Sequence, residues 1–78
     1  MVYDDDFKNL CKKLGKRIQK IRLEKGLSVK ELSQKSNIRC EYLYKIERGE
    51  AYGLKIDGHL YQIADGLQIK LPKLFDFK

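Results

Sequence analysis

The sequence predicts an all-α fold: a compact domain of five helices with an extended first helix. Three observations carry this. Apolar residues recur at steps of three and four along most of the 78 residues, the period of one helical face. Strand signals are nearly absent. The single proline is Pro72, and glycines such as Gly26 and Gly49 fall where helices stop. A chain of this length suits one domain, residues 1–78.

The first helix runs from about Asp4 to Lys25. Phe7, Leu10, Cys11, Leu14, Ile18 and Ile21 share one face. Asp4, Asp5 and Asp6 stand at its start, where the free amides and the helix dipole favour negative charge. Gly26 follows Lys25 and can turn left-handed. The second helix, Val29 to Ser36, opens at Ser28. Glu31 lies three residues on, so Ser28-Val29-Lys30-Glu31 forms a capping box, and Val29 and Leu32 face inward.

Asn37 tolerates positive φ better than other non-glycine residues. A tight turn there swings Ile38 into the core and starts a third helix near Arg39 or Cys40. Leu43 and Ile46 point inward from it, and Gly49 closes it. Glu50 to Lys55 is a loop. Ile56, Leu60, Ile63 and Leu67 mark a fourth helix, with Asp57 as its cap and Gly66 at its end. Pro72 suits the first turn of a short fifth helix that brings Leu74, Phe75 and Phe77 onto the core.

The net charge is +6 and the pI near 9.4. Residues 1–26 hold eight Lys/Arg against four acids, so the surplus lies mostly in the first helix. A basic surplus fits a polyanion partner; it fits equally a solvated face that keeps the protein soluble. The two cysteines, Cys11 and Cys40, have no metal-ligand spacing and suit reduced thiols in a cytosolic protein. No apolar run approaches the ~18 residues that span a bilayer, and the start is acidic where a signal peptide is basic. The expected setting is therefore cytoplasmic, with no membrane partner. His59 is the only histidine, a surface or hydrogen-bonded residue rather than a ligand; neither metal nor cofactor is expected. A Gly-rich phosphate loop, a Ser/His/Asp set and a carboxylate pair in a pocket are all missing, which argues against an enzyme. A domain this small is marginal alone, so pairing of two chains is expected to add stability.

The functional unit is Ser28 to Gly49: helix, sharp turn at Asn37, helix. Two short helices so joined cross steeply, and the second projects far enough to enter a major groove, which admits one helix. With Leu43 and Ile46 inward, Cys40, Glu41, Tyr44 and Lys45 point outward.

Residues 14–75 resemble the phage repressor/Cro-type (XRE-like) helix-turn-helix domains of bacterial transcription regulators. The resemblance lies in Leu14-Gly15-Lys16-Arg17-Ile18, Ile21-Arg22, Gly26-Leu27-Ser28, Glu31-Leu32-Ser33, Ile38, Tyr42-Leu43-Tyr44-Lys45-Ile46-Glu47-Arg48-Gly49 and Leu60-Tyr61-Gln62-Ile63-Ala64-Asp65-Gly66-Leu67. No single stretch is specific; the ordered set with its spacing intact is. The resemblance implies a five-helix repressor-like domain and an ion pair between Arg22 and Glu47. It implies base reading by Arg39, Cys40, Glu41, Tyr44 and Lys45. Phosphate contacts are implied at the amides of Val29 and Lys30, and at Tyr42, Arg48, Tyr52 and Lys55. Val29 stands where many members place Gln, Asn37 where Gly is usual, and Arg39 where a capping Ser or Thr is common. Ser33 and Ser36 replace alanines, and the loop after Gly49 is longer and lacks a Pro.

Several residues carry two readings. Glu41 accepts from cytosine N4 or pairs with Lys45 along the helix. Tyr44 rests on a thymine methyl or shields the helix. Cys40 is a redox-sensitive thiol or a small residue near bases. Phe7, Leu10 and Cys11 pack back on Phe75 and Phe77 or form part of a dimer surface. The expected function is a transcriptional regulator binding double-stranded DNA as a homodimer on an inverted repeat, of the restriction–modification controller or phage-repressor kind. An antitoxin with a toxin partner, or a protein-binding adaptor on the same fold, are the alternatives.

Overall fold

Four helix ends, each closed by one left-handed residue, set the path of the chain. The computed structural model describes residues 4–53 and 56–77; residues 1–3, 54, 55 and 78, and the side chains of 56 and 57, lie outside that description. Among the described residues there is no strand. The elements are α1 (Asp5–Glu24), α2 (Val29–Ser36), α3 (Cys40–Glu47), a π-helical turn (Ile56–Leu60) running into α4 (Tyr61–Leu67), and a 3-10 turn (Leu71–Phe75).

Local chemistry explains the starts. The Phe7 amide donates to Asp4 Oδ1 at 2.8 Å. At α2 both halves of the capping box form: the Glu31 amide donates to Ser28 Oγ at 3.0 Å, and the Ser28 amide to Glu31 Oε1 at 2.9 Å. That amide, and then the Ser28 hydroxyl, hold the Glu31 carboxyl below its usual range. A depressed carboxylate pKa contributes stability above the unfolded value, so this contribution is present at neutral pH and fades as pH falls. Ser28→Ala removes one half of the box and is expected to cost about 1 kcal/mol in urea unfolding; an unchanged midpoint would show that the cap does not hold α2.

The ends follow the Schellman pattern. Gly26 (φ 70°), Asn37 (φ 58°), Gly49 (φ 76°) and Gln68 (φ 59°) are left-handed. The following amide returns to the helix each time: Leu27 to Arg22 O at 3.0 Å, Ile38 to Ser33 O at 3.1 Å, Glu50 to Lys45 O at 2.9 Å and Ile69 to Ala64 O at 3.0 Å.

One core draws on every element: Ile18, Leu32, Leu43, Ile46, Ile63, Leu67 and Leu74 are fully buried. Two glycines let the layers touch. A Cβ on Gly15 of α1 would meet the carbonyl oxygen of Ile46 and lie 2.6 Å from that of Glu47, at the end of α3. A Cβ on Gly66 of α4 would lie 3.0 Å from Ser36 N and 3.2 Å from Leu32 Cδ1 of α2.

The structure departs from expectation at the C-terminal half and the extension. Gly66 does not end α4; it is buried against α2, and Gln68 makes the turn. The fourth helix starts as a π turn at Ile56, and its expected Asp57 cap lies outside the described residues. The fifth helix is a 3-10 turn of 5 residues, a length at which i→i+3 bonding is usual. Leu74 fills the core from it and Phe77 packs against the core's edge, but Phe75 is exposed. Among the described residues Phe7 makes no ring contact with Phe75 or Phe77. Its ring meets Tyr52 (centroids 6.2 Å apart) in the loop after α3, while Phe75 and Phe77 meet each other. Cys11 is buried, and burial pushes its thiol pKa up; Leu10 remains exposed. His59 is half-buried: it packs on the Tyr42 ring, and its Nδ1 is buried without a hydrogen-bond partner among the described residues.

Candidate nucleic-acid interface

The outward face of α3 is defined by what its inner face buries. Leu43 and Ile46 lock the helix onto the core, which leaves Arg39, Glu41, Tyr44 and Lys45 exposed and Cys40 half-buried. Arg39 is the N-cap residue, and its side chain makes no capping bond; the guanidinium is a donor at the tip of the helix. Among the described residues no ion pair joins Glu41 to Lys45. Both charges therefore stand side by side on an open surface, one acceptor and one donor. Tyr44, half exposed, lies between these residues and Arg48.

The turn before α3 is built to hold this helix. Besides the Asn37 backbone, the Ser33 hydroxyl donates to Ile38 O at 2.6 Å, and the Ser36 hydroxyl to Leu32 O at 2.7 Å. The two serine hydroxyls thus bond one carbonyl in the turn and one within α2.

At the other end, α3 is tied to α1. Arg22 Nε donates to Glu47 Oε2 at 2.8 Å and Arg22 Nη2 to Glu47 Oε1 at 3.1 Å, a two-pronged pair, while Nη1 donates to Leu27 O at 2.8 Å. The two side chains are only 8% and 6% exposed. Glycine at position 15, two helical turns before Arg22 on α1, provides the close approach that sets this reach.

The candidate phosphate residues are placed unevenly. The side chain of Val29 is core, so only its backbone faces outward. The capping box takes up the amides of Ser28 and Glu31; those of Val29 and Lys30, in the first turn, have no acceptor within the helix. Arg48 is exposed and pairs with Glu50 at 3.1 Å, a surface contact that a phosphate can displace at small cost. Tyr42 packs against the core and His59 (ring centroids 4.8 Å apart). Tyr52 is half-buried against Phe7. Lys55 lies outside the described residues.

Among the described residues no three metal-ligating side chains gather, and no helix is long and apolar enough to cross a membrane. Sequence reasoning missed the roles of Gly15, Ser33 and Ser36. A glycine inside a helix is the signal that pointed to the first, since it is disfavoured there unless something approaches closely.

Comparison with known proteins agrees with this geometry. The family model described as a helix-turn-helix domain matches residues 17–74. No curated protein matches the sequence. Among solved structures, the chain is similar to the high-resolution crystal structure of the restriction-modification controller protein C.AhdI from Aeromonas hydrophila. The two are 29% identical, with a TM-score of 0.78, over 83% of this chain and 96% of that one.

Proposed function

The chain belongs to the helix-turn-helix domain family and is a DNA-binding transcriptional regulator, and we propose that it works as a homodimer on an inverted-repeat operator. In this reading α3 lies in the major groove of double-stranded DNA. Arg39, Glu41, Tyr44 and Lys45 meet base edges, with Cys40 close behind; Arg48 and the amides of Val29 and Lys30 hold phosphates. The observation that carries it is the open outward face of α3, with a donor at its tip and an acceptor and a donor along it, on a helix pinned at both ends. Phosphate contacts set register and side chains on base edges choose sequence. One such domain makes few contacts; two-fold pairing doubles them over half-sites about one helical turn apart. The likeness to a restriction-modification controller supports a controller role, exercised where the DNA is, in the cytoplasm. Binding, not catalysis, is the activity.

The test is selection from a random duplex pool, followed by a salt titration on the selected site. A palindrome is expected, with log K falling against log salt by about 0.9 per phosphate neutralised. Lys45→Ala is expected to relax one base position, at about 1–3 kcal/mol for that base, and to leave the others unchanged. No enriched sequence and a flat salt response would replace this reading with a protein-binding adaptor.

A further inference from the structure

Beside the recognition face runs a second basic surface. Lys12, Lys16 and Gln19 of α1 line one side of an open cleft of about 480 Å³, and Tyr44 and Arg48 line the other. Both of those residues are exposed on the α3 side, so the cleft continues the surface read as base-facing. Of its two carboxylates, Glu47 is matched by Arg22 in the buried pair, and Glu50 meets Arg48 in an exposed contact that a phosphate on Arg48 would release. Lys12 and Lys16 are exposed, and among the described residues neither has an ion-pair partner. They are the uncompensated charges of the cleft.

Charge and continuity with the α3 face select the ligand. Lys12, Lys16 and Gln19 fall on one face of α1, with the two lysines about 6 Å apart along the axis. Two cationic heads at that separation can meet separate phosphates of one strand. Gln19 adds an amide donor beyond them.

The geometry points to a DNA-backbone site on α1, in which Lys12 and Lys16, with Gln19, hold phosphates flanking the bases met by α3. It rests on the reading of α3 as the DNA-binding helix and extends the footprint to one side of it. Phosphate contacts of this kind strengthen binding without choosing sequence. The basic surplus of the first 26 residues thereby has a place in the complex.

The test compares three full-length proteins on the selected duplex: wild type, Lys12→Gln/Lys16→Gln, and Lys13→Gln/Lys20→Gln. Lys13 and Lys20 line a neighbouring cleft, with Lys16, Arg17, Asp76 and Phe77, but not the one shared with α3, so the second variant loses the same charge outside the proposed site. Glutamine keeps much of the side-chain stem, which matters because the Lys12 backbone and Cγ lie beside Gly49. Far-UV circular dichroism checks that all three are folded. The first variant is expected to flatten the salt slope by about 1.8, so that wild type loses about tenfold more affinity than the variant between 50 and 200 mM salt. Its selected sequence stays that of wild type, and the second variant flattens the slope by less than half as much. Equal flattening by both variants would reduce the effect to net charge and overturn the site. An unchanged slope in the first variant, with wild type still binding specifically, would overturn it alone. Failure of wild type to bind any duplex would remove the functional reading and this site with it.

Discussion

Glu47→Ala is expected to destabilise the domain by about 3–5 kcal/mol, the cost of stranding a buried charge. Glu47 accepts two bonds from Arg22, and both side chains are more than nine-tenths hidden. Without the carboxylate, the guanidinium keeps one acceptor, Leu27 O. Arg22→Met is expected to cost at least as much, because it leaves the carboxylate without those two donors and takes the donor from Leu27 O as well. Small domains are stable by about 5–15 kcal/mol in total, so either change removes a large share. In urea, with a slope of about 1–3 kcal/mol per molar, the midpoint should fall by about 1 M or more. The double variant Arg22→Met/Glu47→Leu should recover much of the loss, since two apolar side chains of similar bulk strand no charge. A loss below about 0.5 kcal/mol for Glu47→Ala would class the pair with exposed salt bridges and remove it as the tie between α1 and α3.

The parts of the molecule legible in the sequence are those whose causes are local. Ser28 and Glu31 start α2 through bonds spanning three residues, and Asn37 turns the chain by its own φ. The outward face of α3 was legible because Leu43 and Ile46 define the inward one. What depends on distant partners was not. Gly66 has the same signature whether a glycine is needed for a turn or for contact, and only Ser36 of α2, lying against it, decides for contact. Gln68 in the left-handed region has no local mark, and the Schellman bonds around it supply the reason. Phe7 meets Tyr52 because the loop after Gly49 passes beside α1, a path no periodicity encodes. Tyr42 and His59 likewise meet across separate elements, a contact that no periodicity marks.

Gly15→Ala should reverse the sign that its helical setting would give. In an exposed helix interior, Gly to Ala stabilises by about 1 kcal/mol. Here the new methyl group would meet the carbonyl oxygen of Ile46 and come within 2.6 Å of that of Glu47. Neither neighbour is the flexible end of a side chain. The Ile46 carbonyl already accepts from the Gly49 amide at 3.0 Å, and the Lys45 carbonyl from Glu50 at 2.9 Å, so the end of α3 cannot turn its oxygens away without undoing its own closure. The remaining response is for α1 and α3 to separate, and overpacking of this kind costs about 1–3 kcal/mol, occasionally more. The same movement carries Arg22 away from Glu47 and tilts the helix read as DNA-facing, so affinity for the selected duplex should fall together with stability. Gly26→Ala is the comparison: an added Cβ there meets nothing within 4 Å, and only the left-handed backbone penalty of about 1–2 kcal/mol applies, with DNA affinity retained. If Gly15→Ala instead raised the urea midpoint and left binding intact, α1 and α3 would not be in backbone contact, and the positioning of α3 would have to come from the turn at Asn37 alone.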